Sequence, residues 1–175
     1  PSTGINMSSN CNNGVFKIDF ELNSATANIT TSLLSGCAPA TITFTNSSTA
    51  GHSYLWDFGA SDTTSIILNP TKTFTTAGTY TVNLYVKKSI CNNLYDTAKV
   101  VVTIHPQPVT NFSTNIDSCS NDVSFLNTTV PISTPSKWYI NSVLTSTSTN
   151  STYSFLTAGT YTVKLVTQNT FGCKD

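Results

Sequence analysis

Residues 74–86 read Phe-Thr-Thr-Ala-Gly-Thr-Tyr-Thr-Val-Asn-Leu-Tyr-Val, and residues 155–167 read Phe-Leu-Thr-Ala-Gly-Thr-Tyr-Thr-Val-Lys-Leu-Val-Thr. A stretch recurring at this length in a chain of 175 residues signals repeated structural units, and it favours two modules of about 80 residues over one large domain. Within the stretch, Tyr80, Val82, Leu84 and Val86 alternate with Thr81, Asn83 and Tyr85, the period of a strand with one buried face. Helix formers are scarce. Turn signals at Ala77-Gly78, Asn69-Pro70 and Cys91-Asn92-Asn93 punctuate such runs at the spacing of an all-β sandwich.

The repetition extends beyond that stretch. Trp56 and Trp138 lie 82 positions apart, as do Cys37 and Cys119, and Cys91 and Cys173. Each module therefore carries two cysteines 54 positions apart, which reads as one disulfide per module, Cys37 to Cys91 and Cys119 to Cys173. Each pair is expected near one end of its sandwich, and a loop of that length closed covalently is worth about 4 kcal/mol in the chain-entropy model. The rival reading, a metal site, fits poorly: there are no CxxC pairs, and neither histidine is beside a cysteine. Disulfides require an oxidising compartment.

Cys11 is left over as an unpaired or inter-module cysteine. The segment from Cys11 to Leu22 resembles the one from Cys91 to Ile104, a closing strand after a cysteine turn. Residues 1–23 thus read as the last strand of a preceding module, 25–105 as a β-sandwich, and 107–175 as a second sandwich lacking its final strand. Two explanations fit that phase. Either the chain is a segment of a longer one, or residues 14–22 of one molecule fill the vacancy in the next, head to tail.

Charged residues are only 9% of the chain and the net charge is zero, which leaves nothing to build a nucleic-acid footprint or a polybasic membrane patch. No run of about 18 apolar residues exists to insert in a membrane. His52 and His105 lie about one module apart, too far to share a triad, and read as surface histidines. Asp57 is expected to make turn hydrogen bonds. Asp57 with Asp62, and Asp117 with Asp122, are candidate calcium ligands by residue type, but neither loop offers the dense oxygen cluster that ion requires. The chain is therefore expected to be non-catalytic and to hold no cofactor or metal. Asn28, Asn46, Asn111, Asn127 and Asn150 each begin an Asn-x-Ser/Thr triplet, several of which arise by chance in so Asn- and Thr-rich a sequence.

Tyr54-Leu-Trp-Asp-Phe-Gly59, Asn69-Pro70-Thr-Lys-Thr-Phe74 and Ala77-Gly-Thr-Tyr-Thr-Val-Asn-Leu-Tyr-Val86 occur in that order, and together they resemble the PKD domain family. The resemblance is strong over 25–105 and weaker over 107–175, where Tyr139 and Asn141 replace an Asp and a Gly and the Asn-Pro turn is missing. The Gly-Cys-Ala-Pro segment at 36–39, with a second cysteine before the last strand, is similar to repeats of large Bacteroidota surface proteins, including gliding-motility adhesins exported by the type IX system. The resemblance implies tandem Ig-like sandwiches of about seven strands each, a location at the bacterial cell surface, and a spacer or adhesive role, with filament formation one form of it. Implied partners are neighbouring modules or head-to-tail copies, and a surface polysaccharide or solid substrate. The alternative it implies is an accessory binding module of a secreted hydrolase. In that phylum Asp-Thr-Thr and Asp-Thr-Ala segments can be O-glycosylated, which singles out Thr63 and Thr97.

In such a sandwich Trp56 and Trp138 are expected between the sheets, near Phe44 or Phe125 and Tyr80 or Tyr161. Gly78 and Gly159 are expected at positive φ in tight turns. The linker His105-Pro-Gln-Pro108 is proline-stiffened, as a semi-rigid spacer requires.

Overall fold

The computed structural model describes residues 25–49, 51, 53–59, 64–87, 95–117, 119–131 and 135–175, and the backbone of residues 4–5 and 20–21. The chain forms two compact units, Pro1–Ile104 and His105–Asp175.

In the first unit, β1 (Gly4–Ile5) and β2 (Phe20–Glu21) form a two-stranded antiparallel ladder. The strands that follow are β3 (Ile29–Thr31), β4 (Ser35–Cys37), β5 (Ala40–Asn46), β6 (Ser53–Asp57), β7 (Thr64–Ser65), β8 (Thr71–Phe74), β9 (Gly78–Lys87) and β10 (Tyr95–His105). They build a five-stranded sheet in the order β4-β10-β9-β6-β7 and a three-stranded sheet in the order β3-β5-β8. Strict alternation explains the layering. On β5, Ala40, Ile42 and Phe44 are buried while Thr41, Thr43 and Thr45 face solvent, and on β9 Val82, Leu84 and Val86 are buried. Both rows bury against each other, because a sheet with one apolar face must cover it. Val102 and Ile104 of β10 complete this core.

The second unit contains β11 (Phe112–Ile116), β12 (Asp122–Asn127), β13 (Ser136–Ile140), β14 (Val143–Ser146), β15 (Ser151–Ser154) and β16 (Val163–Thr167). Its two sheets are β11-β12-β15 and β14-β13-β16. These repeat β3-β5-β8 and β7-β6-β9 of the first unit; among the described residues nothing repeats β10. The core is smaller, with Phe125, Trp138, Ile140 and Leu165 at its centre.

The second unit's β13–β14 turn shows how sequence differences are absorbed. Asn141 and Ser142 adopt φ of 47° and 69°, and Ile140 pairs with Val143 across them. That is a two-residue hairpin of the type whose twist matches its strands. In the first unit the corresponding turn follows Asp57, whose carboxylate accepts the Gly59 N–H at 2.9 Å, with Gly59 at φ 69°.

Two sequence expectations are corrected here. Gly78 and Gly159 are not at positive φ; among the described glycines only Gly59 and Gly172 are. The cysteine pairing is also different. Cys37 and Cys173 are both disulfide-bonded, whereas Cys119 is an exposed free thiol, so Cys119 is not the partner of Cys173. Strand length gives the reason. Cys119 lies in the β11–β12 turn, beyond the Ile116–Val123 pair. Cys173 lies beside Thr167, which exchanges both backbone hydrogen bonds with Asp175, and Asp175 also binds Thr110 at the start of β11. The length of β11 therefore separates the two cysteines, roughly 20 Å at strand rise, and a disulfide needs Cα atoms within about 7 Å.

Cys91, the expected partner of Cys37, lies outside the described residues, as does Cys11.

Candidate functional site

The repeated stretch that opens the sequence forms the same corner twice. The Tyr80 hydroxyl donates to the Thr76 carbonyl at 2.8 Å, and the Tyr161 hydroxyl donates to the Thr157 carbonyl at 2.9 Å. Beneath each ring lies a glycine: a Cβ on Gly78 would meet the Tyr80 ring at 3.6 Å, and one on Gly159 the Tyr161 ring at 3.8 Å. Each ring also packs on the phenylalanine that opens the stretch, Phe74 or Phe155, with centroids 4.5 Å apart in both units. A tyrosine bonded back to the chain a few residues upstream is a recurrent brace of Ig-like sandwiches. Phe, Thr, Gly and Tyr recur because each has a part in that brace.

The tryptophans are duplicated with equal fidelity. Trp56 is fully buried and Trp138 is 1% exposed. Their rings lie 5.9 Å from Phe44 and 5.6 Å from Phe125, respectively. Each indole N–H donates at 3.0 Å to a carbonyl, Ile67 for Trp56 and Ser148 for Trp138, which satisfies the polar edge of an otherwise apolar ring.

A third duplicated device escaped the sequence reading. The N–H of Asn46 donates to the Asn69 side-chain oxygen at 3.0 Å, and the N–H of Asn127 to that of Asn150 at 3.0 Å. The Asn46 and Asn127 side chains each accept the N–H two residues on, from Ser48 and Thr129. Asn69 precedes a proline and Asn150 does not, so reading the motif as Asn-Pro concealed the equivalence; the offset from Asn46 to Asn69, repeated from Asn127 to Asn150, reveals it. The Asn46 amide nitrogen is buried, and that of Asn127 donates to Ser136 at 3.0 Å.

The described carboxylates are committed to local scaffolding. Asp57 caps its turn; Asp96 accepts the Ala27 N–H at 2.8 Å; Asp117 accepts the Cys119 N–H at 2.9 Å; Asp122 accepts from the Ser154 hydroxyl; Asp175 accepts the Thr110 N–H at 2.7 Å. His105 stacks on Phe171 with centroids 4.1 Å apart. Thr97 is an exposed residue of β10. His52, Asp62 and Thr63 lie outside the described residues.

The second unit also carries a groove. Val123, Phe125, Phe155, Ala158, Gly159, Tyr161 and Val163 line an open, largely apolar depression of about 320 Å³ beside β16. In the first unit, β10 pairs along β9 at this place, with Val100, Val102 and Ile104 opposite Val82, Tyr80 and Gly78.

Residues 24–104 match the family model described as PKD domain. No curated protein sequence matches the chain. Among solved structures, the chain is similar to one described as "Structural basis for the promiscuous specificity of the carbohydrate-binding modules from the beta-sandwich super family". The TM-score is 0.44 at 18% identity, over 69% of this chain and 48% of that one.

Proposed function

We propose that this chain is a non-catalytic, extracellular repeat segment of a large bacterial surface protein, acting as a semi-rigid spacer and adhesion module. The observation that carries the reading is the duplication of the brace: Tyr80 to Thr76 in a segment that matches the PKD domain model, and Tyr161 to Thr157 in the second unit. A tie that pins the start of a long strand to the preceding loop serves mechanical persistence, and a chain that repeats it builds length from like units. The disulfide-bonded Cys37 and Cys173 support a working environment in an oxidising compartment. In this reading Pro106 and Pro108 stiffen the connection between modules, and exposed Thr/Ser strand faces meet a surface polysaccharide or solid substrate. A cell-surface adhesin of the gliding type is the biological setting proposed.

Single-molecule pulling on the intact chain tests the mechanical half: two separate unfolding events are expected, one per unit, and a single merged event would overturn the modular reading. Beads coated with the chain test the adhesive half. Retention on polysaccharide or glass above that of uncoated beads is expected; if coated and uncoated beads detach alike, adhesion is no part of its work.

A further inference from the structure

Resting on the adhesive half of that reading, we infer that the outer face of the β14-β13-β16 sheet binds a carboxylated polysaccharide, with Tyr139 as the sugar platform and Lys137, Lys164 and Lys174 as its charges. Alternation on β13 puts Ser136, Trp138 and Ile140 in the core and turns Lys137 and Tyr139 outward. On β16, Leu165 and Thr167 are buried while Lys164 is exposed. Register then brings the outward residues together: Tyr139 lies opposite Lys164, and Lys137 opposite Val166, the spacing at which cross-strand side chains interact. Exposed Leu144 stands on the other side of Tyr139. The Gln168–Lys174 bridge adds a third ammonium just beyond the end of β16. Pro135, Lys137, Tyr139, Val166, Gln168 and Lys174 line one depression of about 150 Å³.

These are all the lysines of residues 105–175, and the chain has no arginine. The aspartates of the unit are turned elsewhere. Asp117 and Asp122 flank the β11–β12 turn in the other sheet, and Asp175 accepts the Thr110 N–H. A chain of zero net charge thus carries one face of a single sign. The same register positions of the first unit hold different chemistry. There Asp57 lies opposite Asn83, whose side chain donates to it at 3.4 Å, and Leu55 lies opposite Tyr85. The buried pair between them is kept, Trp56 with Leu84 in the first unit and Trp138 with Leu165 in the second. The frame is therefore repeated, and the basic outer face belongs to the second unit.

Three ammonium groups around one phenol ring select the class of ligand. Lysine is a compact point charge without the planar fork of arginine, suited to anionic groups met singly along a polymer. Duplex DNA carries a charge every ~1.7 Å of its axis and is held by many phosphate contacts. An anionic membrane is recognised by clusters of about four to eight basic residues. A face of three lysines falls short of both. A uronate polymer carries one carboxylate per ring and offers the apolar C–H side of that ring to an aromatic face, whose body is apolar and whose hydroxyl edge is polar. Charge complementarity and ring packing then act on the same ligand.

Binding of the full chain to immobilised polygalacturonate, with dextran as the neutral control, tests this. The chain should bind polygalacturonate and not dextran, and raising the salt from about 0.05 M to about 0.5 M should weaken binding about tenfold or more. Lys137→Gln combined with Lys164→Gln should lose about tenfold in affinity. Tyr139→Leu, which keeps apolar bulk without a ring, should lose about fivefold and leave the salt dependence as it was. Lys72→Gln combined with Lys99→Gln removes the same charge from the first unit and should bind as the intact chain does. Equal binding to both polymers, equal losses from the two lysine pairs, an unchanged affinity for Tyr139→Leu, or tighter binding to a single-stranded DNA oligonucleotide of matched charge would each overturn the proposal. Beads that hold to glass or neutral polysaccharide while the chain ignores polygalacturonate would overturn this face as the seat of adhesion and leave the adhesive reading standing, so the two failures are distinct.

Discussion

The Tyr161 hydroxyl binds the Thr157 carbonyl at 2.9 Å, and its neighbour in the bond network is the Thr157 hydroxyl at 2.7 Å; Tyr80 binds the Thr76 carbonyl alone of that pair, at 2.8 Å. Removing the hydroxyl leaves the ring in place on Phe74 or Phe155 and frees one carbonyl at a partly exposed corner. Tyr80→Phe and Tyr161→Phe should therefore each cost about 1 kcal/mol of unit stability, the usual net worth of one such bond. Urea titration followed by tryptophan fluorescence of the single-unit tryptophan reads this directly, with the other tryptophan replaced by phenylalanine as a common background. No shift in midpoint for either variant would show that the corner is held by ring packing only.

Gly78 and Gly59 should respond oppositely to alanine. At Gly78 the backbone is ordinary and the new Cβ meets the Tyr80 ring at 3.6 Å, so Gly78→Ala should be neutral or stabilise by about 0.5 kcal/mol through reduced unfolded-state freedom. At Gly59, φ is 69° and a Cβ would stand 2.5 Å from the Thr81 carbonyl oxygen. Gly59→Ala should cost about 2 kcal/mol or more. Thermal unfolding of the two variants decides it, and equal losses would mean that Gly78 has the left-handed backbone its place in the repeat suggested.

That contrast marks where the sequence was legible. Strand alternation, the two tryptophans and the tyrosine stretch follow from period and side-chain chemistry, which act locally, and they place Phe44, Phe125, Trp56 and Trp138 in the cores they occupy. Two failures have a common origin. A repeat guarantees that equivalent cysteines are equally spaced in every unit, so the shared 54-residue separation in the sequence measured repetition and carried no information on bonding. Position along the strands decides pairing, and for Cys119 and Cys173 that becomes visible only once the register Ile116–Val123 and the Thr167–Asp175 pairing are known. Glycine was misread likewise, as a conformational signal, when at 78 the backbone is ordinary and a Cβ there would make only van der Waals contact with the Tyr80 ring.

The thiol pattern gives a direct chemical test. In the native, unreduced chain a maleimide should label Cys119 and leave Cys37 and Cys173 unmodified, because only the first is free and exposed. Peptide mapping after labelling locates the adduct. Cys119→Ser should change stability by no more than about 0.5 kcal/mol, as expected for an exposed site with no special geometry. Protection of Cys119, or a peptide joining it to Cys173, would restore the pairing suggested by spacing.

The asparagine pairs offer the sharpest comparison between units. Asn69 and Asn150 each accept the N–H of the last residue of an inner strand, Asn46 or Asn127, at 3.0 Å. Replacing either acceptor by alanine strands that N–H beside its sheet, a loss of about 1–3 kcal/mol where water cannot reach it and less where it can. The Asn127 side chain is also anchored to Ser136 at 3.0 Å, while the Asn46 amide nitrogen is buried without a partner. The first unit's turn thus depends more heavily on Asn69 than the second unit's does on Asn150. Asn69→Ala should destabilise its unit by at least as much as Asn150→Ala destabilises the other, and Asn46→Asp, which puts a carboxylate oxygen where the buried amide nitrogen has no partner, should cost more than Asn127→Asp, whose new oxygen can accept the Ser136 hydroxyl. Chemical denaturation of the four variants measures the order, and a reversed order for the aspartate pair would show that water or a donor reaches the Asn46 position.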